Sequence, residues 1–129
     1  MALLSQQRVS TGRILVVEND AGARDLIVSS LRADGHDVDA SGDGPEALRL
    51  LARHWYDLIV SDIQMPALDG PNLYSQVARR WPTGPPHFLF VSRLGTTAEY
   101  DGFLKVIKAP VLARPFKAGQ LRRAVRRML

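Results

Sequence analysis

Cysteine is absent from the 129 residues, which excludes disulfides, thiol nucleophiles and thiolate metal sites and is compatible with a cytoplasmic chain. No apolar run approaches the ~20 residues a membrane-spanning helix needs, so no membrane role is expected. The opening MALLSQQRVSTG has too short an apolar core for a secretory signal, and residues 1–12 are read as a flexible tail. His36, His54 and His87 do not cluster with acids at metal-ligand spacing and are assigned surface or helix-end positions. Neither G-x-G-x-x-G nor a P-loop lysine occurs, so Gly42-Asp43-Gly44 reads as a turn feeding a helix cap, not a phosphate cradle. A flavin site would need a Ser/Thr/Gly-rich loop after the first strand, where the chain instead has Glu18-Asn19-Asp20.

What is present fits one globular domain: 46% apolar and 23% charged residues, over a length able to bury about two-thirds of the unfolded surface. Net charge is +4, and 14 of the 17 basic residues are arginine, which raises nucleic acid as a partner. No helix-turn-helix, zinc module or other base-reading element accompanies them, so direct nucleic-acid binding is not expected. The last helix carries Arg122, Arg123, Arg126 and Arg127 opposite its apolar stripe. A solvated face or a docking surface for acids such as Glu99 and Asp101 of a second subunit both account for them, although surface ion pairs contribute little each.

Ile14-Leu15-Val16-Val17, Leu58-Ile59-Val60, Phe88-Leu89-Phe90-Val91 and Val111-Leu112-Ala113 are continuous apolar runs, as expected of parallel strands covered on both faces. His36-Asp37-Val38-Asp39-Ala40 alternates and reads as an edge strand. Between them the spacing predicts helices. Residues 21–34 place Ala23, Leu26, Ile27, Ser30 and Leu31 on one face, and Gly35 supplies the left-handed stop. Asp43-Gly44-Pro45-Glu46 opens a second helix as cap, proline and capping-box acid, with Ala47, Leu48, Leu51, Ala52 and Trp55 at helical spacing. Pro71 opens a third, with Leu73, Val77 and Trp81, which Pro82 stops. Residues 96–105 form a shorter fourth, and Leu121, Ala124, Val125, Met128 and Leu129 mark the last. Trp55 and Trp81 are assigned to packing. Strands alternating with helices imply right-handed βαβ units, a (βα)5 sandwich with helices on both faces of one sheet, whose ligand site lies beyond the carboxyl ends of the strands.

Glu18-Asn19-Asp20 follows the first apolar strand, and Asp62 follows the third. If those strands are neighbours, three carboxylates and an amide meet in one crevice. Two carboxylates about 4 Å apart repel by roughly 4 kcal/mol at an effective dielectric near 20, so such a cluster should bind a cation or raise a pKa. Oxygen-only ligands favour Mg2+ over zinc. Acids after strands also serve as solvated loop residues or helix caps, and for Asp20 that reading stands beside the ligand one.

Residues 13–129 resemble a response-regulator receiver domain. The resemblance rests on the acidic group after the first strand, Asp62 followed by Met65-Pro66 and Asp69-Gly70, the hydroxyl of Ser92 after the fourth strand, and a basic residue before Pro115-Phe116. It implies a three-layer flavodoxin-like α/β fold, a doubly wound parallel sheet in the order 2-1-3-4-5. It further implies that Asp62 accepts a phosphoryl group from a histidine kinase or phosphotransfer protein. Mg2+ would be held by Glu18, Asn19, Asp20, Asp62 and the backbone carbonyl of Gln64, with Ser92 and Arg114 contacting the phosphoryl group. Binding surfaces would switch on the fourth helix, fifth strand and fifth helix, the place also expected for a homodimer. The chain would then be a regulatory phosphoacceptor catalysing only its own modification, standing alone or as the receiver piece of a longer regulator or hybrid kinase. Four positions depart from the family pattern: Asn19 stands for the usual second acid, Arg114 for lysine, Arg93 for a small residue at the mouth, and Val111 for a switching aromatic. Arginine's planar fork could pin Asp62. The rival readings are a degenerate receiver working as a phosphorylation-independent interaction module and a small phosphatase-like enzyme.

Overall fold

The computed structural model describes residues 10–92 and 97–129. Five strands, β1 (Arg13–Val17), β2 (Asp37–Ser41), β3 (Leu58–Asp62), β4 (His87–Ser92) and β5 (Val111–Ala113), alternate with five helices, α1 (Ala21–Ala33), α2 (Gly44–Leu51), α3 (Gly70–Arg80), α4 (Asp101–Ile107) and α5 (Ala118–Met128). All neighbours in the sheet are parallel, in the order β2-β1-β3-β4-β5. This is the expected flavodoxin-like (βα)5 arrangement.

The continuous apolar runs have a simple cause. Side chains alternate between the two faces of a strand, and here both faces are covered. Ile14, Val16, Leu58, Val60, Leu89 and Val91 pack with Ile27, Val28 and Leu31 of α1 and Leu121 and Val125 of α5. Leu15, Val17, Ile59, Phe88 and Phe90 pack with Ala47 and Leu51 of α2 and Leu73 and Val77 of α3. Each fully buried aliphatic side chain contributes roughly 1.5–3 kcal/mol relative to exposure.

The helix boundaries follow the chemistry of their ends. Asp43 Oδ1 accepts from the Glu46 amide at 2.8 Å, and Asp69 Oδ1 from the Asn72 amide at 2.9 Å, each ahead of a proline in the first turn. At the end of α1, Gly35 takes φ 90°, its amide donating to the Arg32 carbonyl while the His36 amide donates to that of Leu31. That pair of bonds is the Schellman stop.

Several side chains fall elsewhere than their spacing predicts. Leu26 is 58% exposed, and Val28 takes its place in the core, because the buried stripe of α1 runs through Ile27, Val28 and Leu31. Trp55 lies beyond the end of α2, half-exposed, with its ring edge-on to Trp81 at 5.6 Å. His36 is buried, with Nδ1 accepting from the Gly12 amide at 3.2 Å, and Gly12 also accepts from the Asp37 amide, so the chain is tied to the sheet from residue 12. The fourth helical segment starts as a 3₁₀ turn, Thr97–Tyr100, and becomes α4 with no fully buried residue. β5 is short and only partly covered, as an edge strand is.

Candidate functional site

The register of the sheet assembles the site. Val17 pairs with Ser61, so Glu18 and Asp62 leave neighbouring strands at the same level. Asp62 pairs with Val91, which pairs with Leu112, and Arg114 follows two residues on, its amide donating to the Ser92 carbonyl at 2.9 Å. Three charged side chains from β1, β3 and β5 therefore meet at the carboxyl end of the sheet. Arg114 Nη2 donates to Asp62 Oδ1 at 2.7 Å and to Glu18 Oε1, bridging the two carboxylates. The Asn19 amide adds a long contact to Asp62 Oδ2 at 3.4 Å. Glu18 is 2% exposed at its side chain and Asp62 13%. Burying those charges costs solvation, and the shared guanidinium offsets it: each pair attracts by roughly 4 kcal/mol at about 4 Å and an effective dielectric near 20.

The remaining expected site residues are placed differently. Asp20 is exposed and caps α1, its Oδ2 accepting from the Ala23 amide at 2.8 Å. The Asn19 side-chain amide donates to the Gly42 carbonyl at 3.4 Å. Gln64 is exposed beside Asn19, Met65 and Pro66, with which it lines a shallow surface depression. Ser92 ends β4 with its hydroxyl buried and, among the described residues, without a hydrogen-bond partner. Val111 is partly buried in β5 against the aromatic face of the sheet. Arg93 lies outside the described residues. The Arg114-Pro115 peptide is cis.

Of the three carboxylates expected in one crevice, Glu18 and Asp62 share a guanidinium while Asp20 serves a helix cap. Among the described residues no three carboxylate or imidazole side chains stand close enough to hold one metal ion. As arranged, Arg114 takes one oxygen of each inner carboxylate, Oε1 of Glu18 and Oδ1 of Asp62, and Asp20 serves its cap, so these oxygens do not form the near-octahedral set that Mg2+ requires.

The turn after β3 keeps Asp62 in place. Ile63 and Met65 are buried, the Gly70 amide donates to the Ile63 carbonyl at 2.7 Å, and Asp69 caps α3. A Cβ on Gly70 would lie 2.6 Å from the Asp62 carbonyl oxygen and 2.9 Å from the Phe90 ring, so the start of α3 approaches β3 as only glycine permits. In the sequence Asp69-Gly70 stood only as part of the family pattern ahead of Pro71, and this contact was missed; the Gly between a cap residue and a proline was the available signal. Also missed was Arg24, whose Nη1 donates to the Glu18 carbonyl at 2.9 Å, one turn into α1 from the acid group.

The family model described as the response regulator receiver domain matches residues 14–126. The response regulator protein FleR of Pseudomonas aeruginosa is 30% identical over 109 residues, 84% of this chain and 23% of its own length. The sensor kinase CckA of Brucella abortus is 31% identical over 118 residues, 90% of this chain and 12% of its own. The chain thus spans less than a quarter of either relative. Among solved structures, the chemotaxis response regulator CheY4 of Vibrio cholerae superposes with a TM-score of 0.82 at 25% identity, over 93% of this chain and all of that one. With the sheet order, the Asp62 loop and a match over nearly the whole described length in agreement, the chain belongs to the response-regulator receiver family.

Proposed function

We propose that Asp62 is the phosphoacceptor of a two-component signalling system, taking its phosphoryl group from a histidine kinase or a phosphotransfer protein. The observation that carries this reading is the carboxylate itself, fixed at the tip of a buried strand, 13% exposed and in contact with a guanidinium. An Asp62 oxygen attacks the phosphorus of a phosphohistidine; the new P–O bond forms as the P–N bond breaks, and its electron pair returns to the imidazole. Strand β3 and Gly70 supply the positioning, and Arg114 offers donors in a fork that matches phosphoryl oxygens. The buried hydroxyl of Ser92, which has no hydrogen-bond partner among the described residues, is a further donor at the end of the adjacent strand.

Receiver domains in general bind Mg2+ at this place, where it would neutralise charge on the incoming group. Of the residues expected to hold it, Glu18 and Asp62 would first have to leave Arg114 and Asp20 its cap, so every step above uses the chain's own side chains. The output surface we assign to α4, β5 and α5, of which α4 buries no residue fully and exposes Val106 at 81%. A downstream protein or a second copy would meet Arg123 and Arg127, which line a depression with Val111 and Leu112, whereas Arg122 and Arg126 lie toward Asp34 at the end of α1.

One observation favours the alternative of a phosphorylation-independent interaction module: Arg114 already engages Asp62. Mass spectrometry after acetyl-phosphate treatment separates the two. One added phosphoryl group on the wild type and none on Asp62→Asn is the expected result; an unmodified wild type under every ionic condition would leave the interaction module.

A further inference from the structure

We infer that Arg114 is the resident cation of this site, a tethered replacement for the divalent ion, so that the unmodified chain excludes Mg2+ from the Glu18–Asp62 cleft. Three observations converge on it. The Arg114 guanidinium bridges one oxygen of each inner carboxylate, Oε1 of Glu18 and Oδ1 of Asp62, and so withdraws both from an ion entering the cleft. The outer positions offer little charge: Asp20 Oδ2 is engaged on the Ala23 amide at 2.8 Å, and Asn19 has only a neutral oxygen, its side-chain nitrogen donating to the Gly42 carbonyl at 3.4 Å. A second guanidinium, that of Arg24, donates to the Glu18 carbonyl at 2.9 Å. The three carboxylates around the cleft carry three negative charges and the two guanidiniums beside them two positive ones, which leaves one net negative charge to attract a doubly charged ion.

The exchange is also asymmetric in mechanism. A hydrated Mg2+ must shed water to bind and holds its ligands in a strict geometry. Arg114 is covalently attached, permanently charged, and anchored by its own backbone bond to Ser92 at 2.9 Å. It competes at an effective concentration no free ion reaches. For a phosphoryl acceptor, which is the reading proposed above, the consequence is that modification of Asp62 proceeds without a divalent ion.

The test begins with the unmodified, isotope-labelled chain, titrated with MgCl2 to millimolar levels while the amide resonances of Asn19, Asp62 and Gln64 are followed, and with MnCl2 as a paramagnetic probe of the same amides. The wild type should show no saturable change. Arg114→Ala, and Arg114→Gln as the variant that keeps a polar side chain in place, should bind, their affinity rising roughly tenfold or more once the neighbouring positive charge is removed. Saturable Mg2+ binding by the wild type overturns the inference, as does failure of both folded variants to gain it. The second arm is acetyl-phosphate labelling in Mg2+ or in excess chelator. Equal labelling of Asp62 in the two supports the inference; labelling that requires Mg2+ overturns it and leaves the phosphoacceptor reading intact. If no label appears in either, that reading fails, and the titration still decides whether Arg114 excludes the ion.

Discussion

At the amino edge of the sheet Arg13 stands between Asp37, at 3.6 Å, and Asp39, at 3.5 Å; at the carboxyl edge Arg114 stands between Glu18 and Asp62. The chemical composition is the same, one guanidinium and two carboxylates. The side chains of Arg13, Asp37 and Asp39 are 37%, 75% and 36% exposed, against 24%, 2% and 13% for Arg114, Glu18 and Asp62. The difference comes from backbone. Over the carboxyl edge the turn after β3 and the starts of α2 and α3 close in, at Gly44 against Leu68 and at Gly70 against Asp62 and Phe90. Exposed charges at the amino edge decorate a surface, whereas buried ones at the carboxyl edge are held in a geometry. Charge clusters therefore identify a site only where the chain around them excludes water.

The largest break in this comparison comes from the backbone itself. Gly70→Val puts a branched side chain where even a Cβ meets the Asp62 carbonyl at 2.6 Å, and it should cost about 3 kcal/mol in urea unfolding. Because that contact is to the carbonyl of Asp62, the proposed acceptor, the variant should also lose phosphoryl labelling of Asp62 beyond what its stability explains. A stable Gly70→Val with normal labelling would mean that α3 can be displaced without moving Asp62.

Removing one carboxylate from each edge measures the role of burial directly. Glu18→Gln should cost about 2 kcal/mol, since a buried charge-assisted bond to Arg114 is lost. Asp37→Asn should fall within about 0.5 kcal/mol of the wild type. Equal costs would show that the carboxyl-edge cluster is no better organised than the surface one.

Much of the fold was legible because its signals are local: the four apolar runs, the caps at Asp43 and Asp69 with their prolines, and Gly35 after α1. Signals that depend on how elements pack were not. Leu26 and Val28 both flank Ile27, and only the tilt of α1 on the sheet decides which is buried. Trp55 continues the spacing of α2 past the residue where the helix stops. At the site, Glu18 and Asp62 were brought together by register alone, which the order of strands implies. Asp20 was ambiguous by nature, since a cap and a metal ligand call for the same side chain. Arg114 at Asp62 was expected from arginine's planar fork, but its reach on to Glu18, across from β5 to β1, is a distance no sequence spacing encodes.

A smaller effect sharpens the amino edge. Tyr56 is fully buried and donates to Asp39 Oδ2 at 2.6 Å, beneath the Arg13 guanidinium, which lies 5.3 Å from the ring centre. Burial first, then the Asp39 bond, raises its hydroxyl above the ordinary 10.0. In the unfolded chain the phenol ionises near 10.0 and in the folded one it resists, so this contribution is complete below that pH and is lost as pH rises beyond it. Tyr56→Phe should cost about 1–2 kcal/mol at neutral pH and remove part of the alkaline decline. Parallel stability curves for the two proteins above pH 10 would contradict the assignment.

The smallest effect lies in the turn beside the site. Ala67 sits at φ 68°, between the Pro66 carbonyl and the Leu68 amide that donates to it at 2.8 Å, a three-residue turn with a positive central φ. An alanine there costs roughly 1–2 kcal/mol relative to its preferred backbone, and glycine would relieve this while adding about 0.4–1 kcal/mol of unfolded-state entropy. Ala67→Gly should therefore raise stability by about 0.5 kcal/mol. If the carboxyl edge is held by Gly70 and Arg114 as described, that gain should leave Asp62 labelling unchanged. A fall in labelling with a rise in stability would show instead that the strained turn helps to aim Asp62, and would move part of the positioning from the start of α3 to Ala67.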